Sequence, residues 1–183
     1  MATLDITRDT SKGLEMAKGK QSANNFYDSI ASGYDELHKE EQLKKCRIIS
    51  KYFNPENKKI LDVGCGTGIA TDFFKCQVGV DPSEKLLEIA KRKFPKIKFI
   101  KAKAEKLPFK DDEFDAVISV TAIQNFDDVE KGLGEIKRVG KEFVLTFLKK
   151  SEKKEKIEQL IKRLFKIKKI IEEEKDLIYF CEK

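Results

Sequence analysis

The chain has 183 residues, enough for one α/β domain with a sizeable core and too few for two. Hydrophobic residues are 40% and charged residues 38%, of both signs, which excludes a disordered chain; the net charge of +6 permits an acidic partner such as RNA without requiring one. No apolar run reaches the roughly 18 residues of a membrane span, no signal-peptide core opens the chain, and Cys46, Cys65, Cys76 and Cys181 form no C-x-x-C pair, so neither a zinc site nor a disulfide framework is expected, and reduced cysteines of a cytoplasmic protein are.

Residues 1–23 are polar and sustain no period; they read as an arm, either mobile or ordered by a ligand, ahead of a single domain over 24–183. Asn24 to Phe53 reads as helical, with Leu43, Cys46, Ile49 or Ser50, and Phe53 on one stripe ended by Asn54-Pro55. From Lys59 strands and helices alternate. Strands are expected at Ile60–Val63, Gln77–Val80, Ile97–Lys101, Asp115–Val120 and Glu142–Phe147. Helices are expected at about Ile69–Lys75, after the cap Ser83 with Leu86, Leu87, Ala90 and Phe94 inward, and over Asp128–Arg138 with Val129, Leu133 and Ile136 inward. Ile157, Leu160, Ile161, Leu164 and Phe165 mark an amphipathic helix. Two further strands, Ile167–Ile171 and Leu177–Cys181, flank a five-residue link and read as an antiparallel hairpin. The alternation predicts a doubly wound, mostly parallel, Rossmann-like sheet of seven strands that ends in that hairpin, preceded by helices over 24–53.

The segment Asp62-Val63-Gly64-Cys65-Gly66-Thr67-Gly68 carries the most chemistry. An apolar strand runs into three glycines at alternate positions, where the backbone turns tightly or comes close to a ligand. A dinucleotide fold wants G-x-G-x-x-G, and the third glycine would fall at Ile69. A P-loop wants Gly-Lys-Ser/Thr, and no lysine stands between Lys59 and Lys75. Asp62 would repel a pyrophosphate and suits an ammonium group. The ligand implied is a nucleoside with a cationic or amino-acid-like arm. Asp81, ending the second strand, can accept both hydroxyls of a ribose; it also suits the turn Asp81-Pro82-Ser83.

With Asp62, Gly64, Gly66 and Gly68 in register, the chain resembles the class I S-adenosylmethionine (SAM)-dependent methyltransferases, whose first motif is Asp/Glu-x-Gly-x-Gly-x-Gly. The resemblance implies SAM as cofactor, no metal, and a final antiparallel hairpin. It implies ribose binding by Asp81, with Cys65 and Pro82 beside the cofactor. Ala104-Glu105-Lys106-Leu107-Pro108-Phe109 resembles the third motif, Asp-Ala-Glu-x-Leu-Pro-Phe, except that Lys103 stands where the acid that meets the adenine amino group is expected. A lysine cannot accept from that group. The Ala104 backbone contact carries over; Glu105 or a backbone carbonyl replaces the missing acid. Pro108 and Phe109 are expected over the adenine edge. Phe114 to Phe126 resembles the fourth motif, at whose exit acceptor and methyl meet, with Ser119 on the cofactor side.

Phe26 to Asp35, with Tyr27-Asp28, Ala31 and Tyr34-Asp35, resembles the lid of the ubiquinone- and menaquinone-biosynthesis-type methyltransferases, which covers the methionine arm of the cofactor; Tyr27 and Tyr34 are its implied contacts. No Asn/Asp-Pro-Pro-Tyr and no His pair stands near Gln124-Asn125. The catalytic candidates are His38, Tyr34, Gln124 and Asn125, in a site that works mainly by positioning. The acceptor is open: RNA or a translation-related protein is suggested by the basic charge, a small molecule is the alternative, and a non-catalytic SAM-binding scaffold a third reading. S-Adenosylhomocysteine, a small activator subunit or a second copy, and no membrane complete the expected partners. Lys149 to Lys169 holds ten basic and three acidic residues, read as a solvated helix face before an RNA groove.

Overall fold

The computed structural model describes residues 39–183, so the arm over 1–23 and the lid tyrosines lie outside the described residues. Among the described residues there are seven strands: β1 (Ile60–Val63), β2 (Val78–Asp81), β3 (Lys98–Lys101), β4 (Ala116–Ser119), β5 (Glu142–Leu148), β6 (Lys166–Glu172) and β7 (Asp176–Glu182). They make one sheet in the order β3-β2-β1-β4-β5-β7-β6. The first five strands pair in parallel; β7 enters antiparallel between β5 and β6. The chain winds outward from β1 to β3, then returns to β4 on the other side of β1. That reversal opens a crevice at the carboxyl ends of β1 and β4, where an α/β sheet binds its ligand. Ser119 Oγ ties those ends together by donating to the Val63 carbonyl at 2.8 Å.

Side chains leave a strand on alternate faces, and the two faces find different helices. Leu61, Val63, Val117, Phe143 and Leu145 pack with Leu133 and Ile136 of α4 (Val129–Val139) and with Ile157 and Ile161 of α5 (Lys154–Leu164). Ile60, Ala116, Ile118, Val144 and Ile178 pack with Cys46 and Ile49 of α1, helical over 39–49, and with Ala70 of α2 (Ile69–Phe73). Leu87 and Ala90 of α3 (Glu84–Lys93) join Cys65 and Phe99 in a third cluster. Each buried Leu, Ile or Phe contributes about 1.5–3 kcal/mol. Caps set the helix starts: Ser83 Oγ accepts from Leu86 N at 3.3 Å, and Asp128 Oδ1 from Lys131 N at 3.2 Å.

Most strand ends differ from the sequence reading by a residue, and three differences are larger. α1 ends at Ile49 rather than Phe53; Ile49 is buried and Ser50 exposed, and Leu43 is half-buried. α2 stops at Phe73, because Lys75 takes a positive φ of 53°. The hairpin link is three residues, 173–175, not five. Asp176 reads as a loop residue, yet it opens β7 opposite Leu148 with its side chain fully buried.

Among the described residues no helix is long and apolar enough to cross a membrane, and no group of three His, Cys, Asp or Glu could hold a metal ion. All four cysteines are free and buried. Burial pushes the Cys46 and Cys181 thiols up to about 12, so both stay protonated and unreactive at neutral pH.

Candidate active site

The glycine turn is laid across the end of β2. Gly64 N–H and Cys65 N–H both donate to the Val80 carbonyl, at 2.8 and 3.0 Å. Gly64, Gly66 and Gly68 have φ of 77°, 53° and 84°, a region that L side chains rarely adopt. Their surroundings separate their roles. A Cβ on Gly64 would meet Ala122 Cβ at 2.4 Å, and one on Gly68 would meet the Phe99 ring at 2.9 Å. One on Gly66 would meet nothing within 4 Å. Gly64 and Gly68 serve packing; Gly66 faces open space.

That space is an open pocket of about 730 Å³, counting the solvent at its mouth. Gly64, Gly66, Asp81, Pro82 and Leu86 form one part of its wall, Ala102 to Glu105 another. Val120 to Ala122, Asn125 to Asp127, and Gln42 of α1 complete it. Cys65, Gly68, Ser119 and Gln124 do not line it; Cys65 packs on the Phe99 side and Ser119 is spent on β1. Gln42 and Asp127 belong to no motif; Thr121, Ala122 and Phe126 fall within the fourth-motif stretch but were not singled out as site residues.

Asp81 is half of the turn's scaffold. Its Oδ2 accepts from Gly66 N–H and its Oδ1 from Ser83 N–H, both at 2.9 Å. Asp62 lies beneath the turn rather than on the pocket wall, 1% exposed. Thr71 Oγ1 donates to its Oδ2 at 2.7 Å, while Oδ1 finds no hydrogen-bond partner. Burial pushes its carboxyl up to about 7; the Thr71 hydrogen bond opposes this and the Asp81 charge adds to it. The Asp81 carboxylate on the pocket wall disfavours a phosphate and favours a cation.

At the other wall, Lys103 Nζ holds Asp127 Oδ2 at 2.7 Å. Asp127 keeps the Lys103 ammonium above its ordinary pKa, through the hydrogen bond and its charge. Glu105 Oε1 accepts from Asp128 N at 3.0 Å, so one of its oxygens is committed to the loop. Phe109 stacks edge-on against Phe114, 4.9 Å between centroids, and its carbonyl accepts from Arg138. The Pro108-Phe109 segment is therefore pinned to α4 and does not line the pocket, contrary to its expected place over an adenine. Gln124 is buried; its Nε2 donates to the Thr121 carbonyl at 2.8 Å. Of the catalytic candidates only Asn125 reaches the pocket wall among the described residues; Tyr27, Tyr34 and His38 lie outside them.

Residues 61–145, from β1 to the middle of β5, match the family model described as a methyltransferase domain. The chain carries a class I SAM-dependent methyltransferase domain. Its cofactor is SAM, and the site has room for one: a Cβ on Gly66 would touch nothing, and Asp81 stands on the same wall. The domain is similar to the demethylmenaquinone methyltransferase of Chlorobaculum tepidum, 34% identical over 153 residues. That match takes in 74% of this chain and 62% of the relative, so the chain spans about three-fifths of that relative's length. Its fold is that of a Thermotoga maritima SAM-dependent methyltransferase described as a possible histamine N-methyltransferase, with a TM-score of 0.69 at 20% identity over 87% of this chain and 99% of that one. It is equally that of a Haloferax volcanii putative methyltransferase solved in complex with the Trm112 activator, with a TM-score of 0.69 at 15% identity over 90% and 99%.

Proposed function

We propose that this chain transfers the methyl group of SAM to a carbon of a small aromatic acceptor of the demethylmenaquinone type, in its reduced form. The observation that carries the acceptor is the 34% identity to a demethylmenaquinone methyltransferase. The pocket agrees with it: Val120, Ala122 and Phe126 give an apolar surface at the exit of β4, suited to a flat ring. SAM supplies an electrophilic methyl on a sulfonium. In this reading Gly66 leaves room for it, Asp81 takes the ribose hydroxyls, and the Ala104 backbone meets the adenine. Lys103 cannot accept from the adenine amino group; its partner Asp127 and the neighbouring Glu105 are the acids on that wall that can.

The basic surface supports RNA or a protein as acceptor less well than its net charge suggests. In the tail, Lys149 pairs with Glu172, Arg163 with Glu130, and Lys166 and Lys168 with Glu182. A small activator subunit stands as a proposed partner on fold likeness to the Haloferax chain alone; co-expression with such a subunit and a raised melting temperature of the pair would test it. For the acceptor, the chain is incubated with methyl-labelled SAM and reduced demethylmenaquinone. Label in the organic extract supports the proposal. Label that appears only in cell extract, and is removed by nuclease or by protease, overturns it for RNA or protein respectively.

A further inference from the structure

Lys45 and Asp176 form an ion pair wholly out of solvent, 2.6 Å apart with side chains 2% and 0% exposed. Apolar residues of similar volume often stabilise a fold as well as such a pair does, so stability alone does not account for it. Lys45 comes from α1 and Asp176 from the start of β7, and both converge on Thr121. Lys45 Nζ donates to Thr121 Oγ1 at 2.5 Å, and Thr121 Oγ1 donates to Asp176 Oδ1 at 3.0 Å. The Thr121 backbone is held as well: its N–H donates to Thr146 Oγ1 at 2.7 Å, and its carbonyl accepts from Gln124.

What these contacts hold is strained. Thr121 has a φ of 56°, and a β-branched residue in the left-handed region persists only where its surroundings enforce it. Thr121 lines the pocket beside Ala122, whose methyl stands over Gly64 of the glycine turn. Gln42, on the same helix as Lys45 and three residues before it, lines the pocket too. One helix thus supplies part of the wall and the prop behind another part.

We propose that the Lys45–Asp176 pair is a positioning device that holds Thr121 in its left-handed conformation, fixes Ala122 against the glycine turn, and so couples the docking of α1 to cofactor affinity. This rests on the SAM reading of the pocket. The test is calorimetric titration of the full chain with S-adenosylhomocysteine. Lys45→Met combined with Asp176→Leu removes the pair without leaving a buried charge, and Thr146→Val removes the acceptor for the Thr121 N–H at almost constant shape. Each is made with and without Thr121→Gly.

Deleting the pair weakens S-adenosylhomocysteine about tenfold, the size of one relaxed backbone strain, while the melting temperature stays near that of the parent. Thr146→Val weakens it in the same direction. In the Thr121→Gly background the pair deletion no longer matters, because glycine holds the left-handed φ unaided. Unchanged affinity in both variants overturns the inference. So does an equal loss in the Thr121→Gly background, which would assign the pair to general stability. A parent chain that does not bind S-adenosylhomocysteine overturns the SAM reading itself, and this inference with it.

Discussion

Ala122 stands over Gly64 so closely that a methyl on Gly64 would lie 2.4 Å from the Ala122 Cβ, whereas a methyl on Gly66, two residues on, would touch nothing. The two glycines of one turn should therefore fail in different ways. Gly64→Ala brings left-handed strain and a clash with a neighbouring segment, and is expected to destabilise the ligand-free chain by about 2–4 kcal/mol. Gly66→Ala carries only the strain, about 1–2 kcal/mol, but puts its methyl into the pocket and should lose SAM affinity out of proportion to its stability. Thermal melts and SAM titration of the pair separate the two; a Gly66→Ala protein that binds SAM like its parent would remove the turn from the site.

Asp81 gives a second contrast, because its carboxylate serves the protein before any ligand arrives. Its two oxygens take the N–H groups of Gly66 and Ser83. In Asp81→Asn one of those donors faces an amide nitrogen and goes unpaired, at a cost of about 1–3 kcal/mol. The ligand-free protein should melt lower, and SAM should bind more weakly. If Asp81→Asn left the ligand-free melting temperature untouched while abolishing binding, the scaffold role would be wrong and a ribose role alone would remain.

Asp62 makes stability depend on pH. Burial pushes its carboxyl from an ordinary 3.8 to about 7 in the folded chain. Between about pH 4 and 7 the folded state therefore holds a proton that the unfolded state has released. The stability that this proton brings is complete below the lower value and is lost as pH rises through the upper one. The ligand-free melting temperature should fall from about pH 4 to about pH 7 more steeply than in Asp62→Asn, which has no such proton to lose. Parallel curves for the two proteins would rule the shift out.

All seven strands of the sheet could be read from the sequence, because five are short apolar runs, β3 and β6 carry isoleucines or phenylalanine among lysines, and β/α alternation admits few topologies. Asp62, Gly64, Gly66 and Asp81 could be singled out because they stand at fixed positions at the ends of β1 and β2; the structure puts Gly64, Gly66 and Asp81 on the pocket wall and Asp62 beneath it. What escaped was set by tertiary contact. Thr121 gains its importance from a backbone angle, which threonine does not advertise. Asp176 looks like hairpin polarity until Lys45, from 131 positions earlier, arrives to pair with it. Pro108-Phe109 looked like a pocket lip, and Arg138 draws it to α4 instead.

Gly132 shows how the helix layer reaches the pocket. It lies within α4, where alanine ordinarily gains about 1 kcal/mol over glycine. Here a Cβ would stand 2.6 Å from Phe126 Cδ2 and 3.4 Å from Ala104 Cβ, and both of those residues line the pocket. The open side of the Phe126 ring is the pocket, so the methyl of Gly132→Ala pushes the ring toward the ligand, and overpacking of about 1–3 kcal/mol offsets the helix gain. Gly134→Ala, on the same helix with nothing within 4 Å of its Cβ, is the control and should raise the melting temperature. SAM affinity should fall in Gly132→Ala, hold in Gly134→Ala, and recover when Phe126→Leu is added to Gly132→Ala. A Gly132→Ala protein that gained stability and kept its affinity would show that the ring yields elsewhere and that α4 does not shape the site.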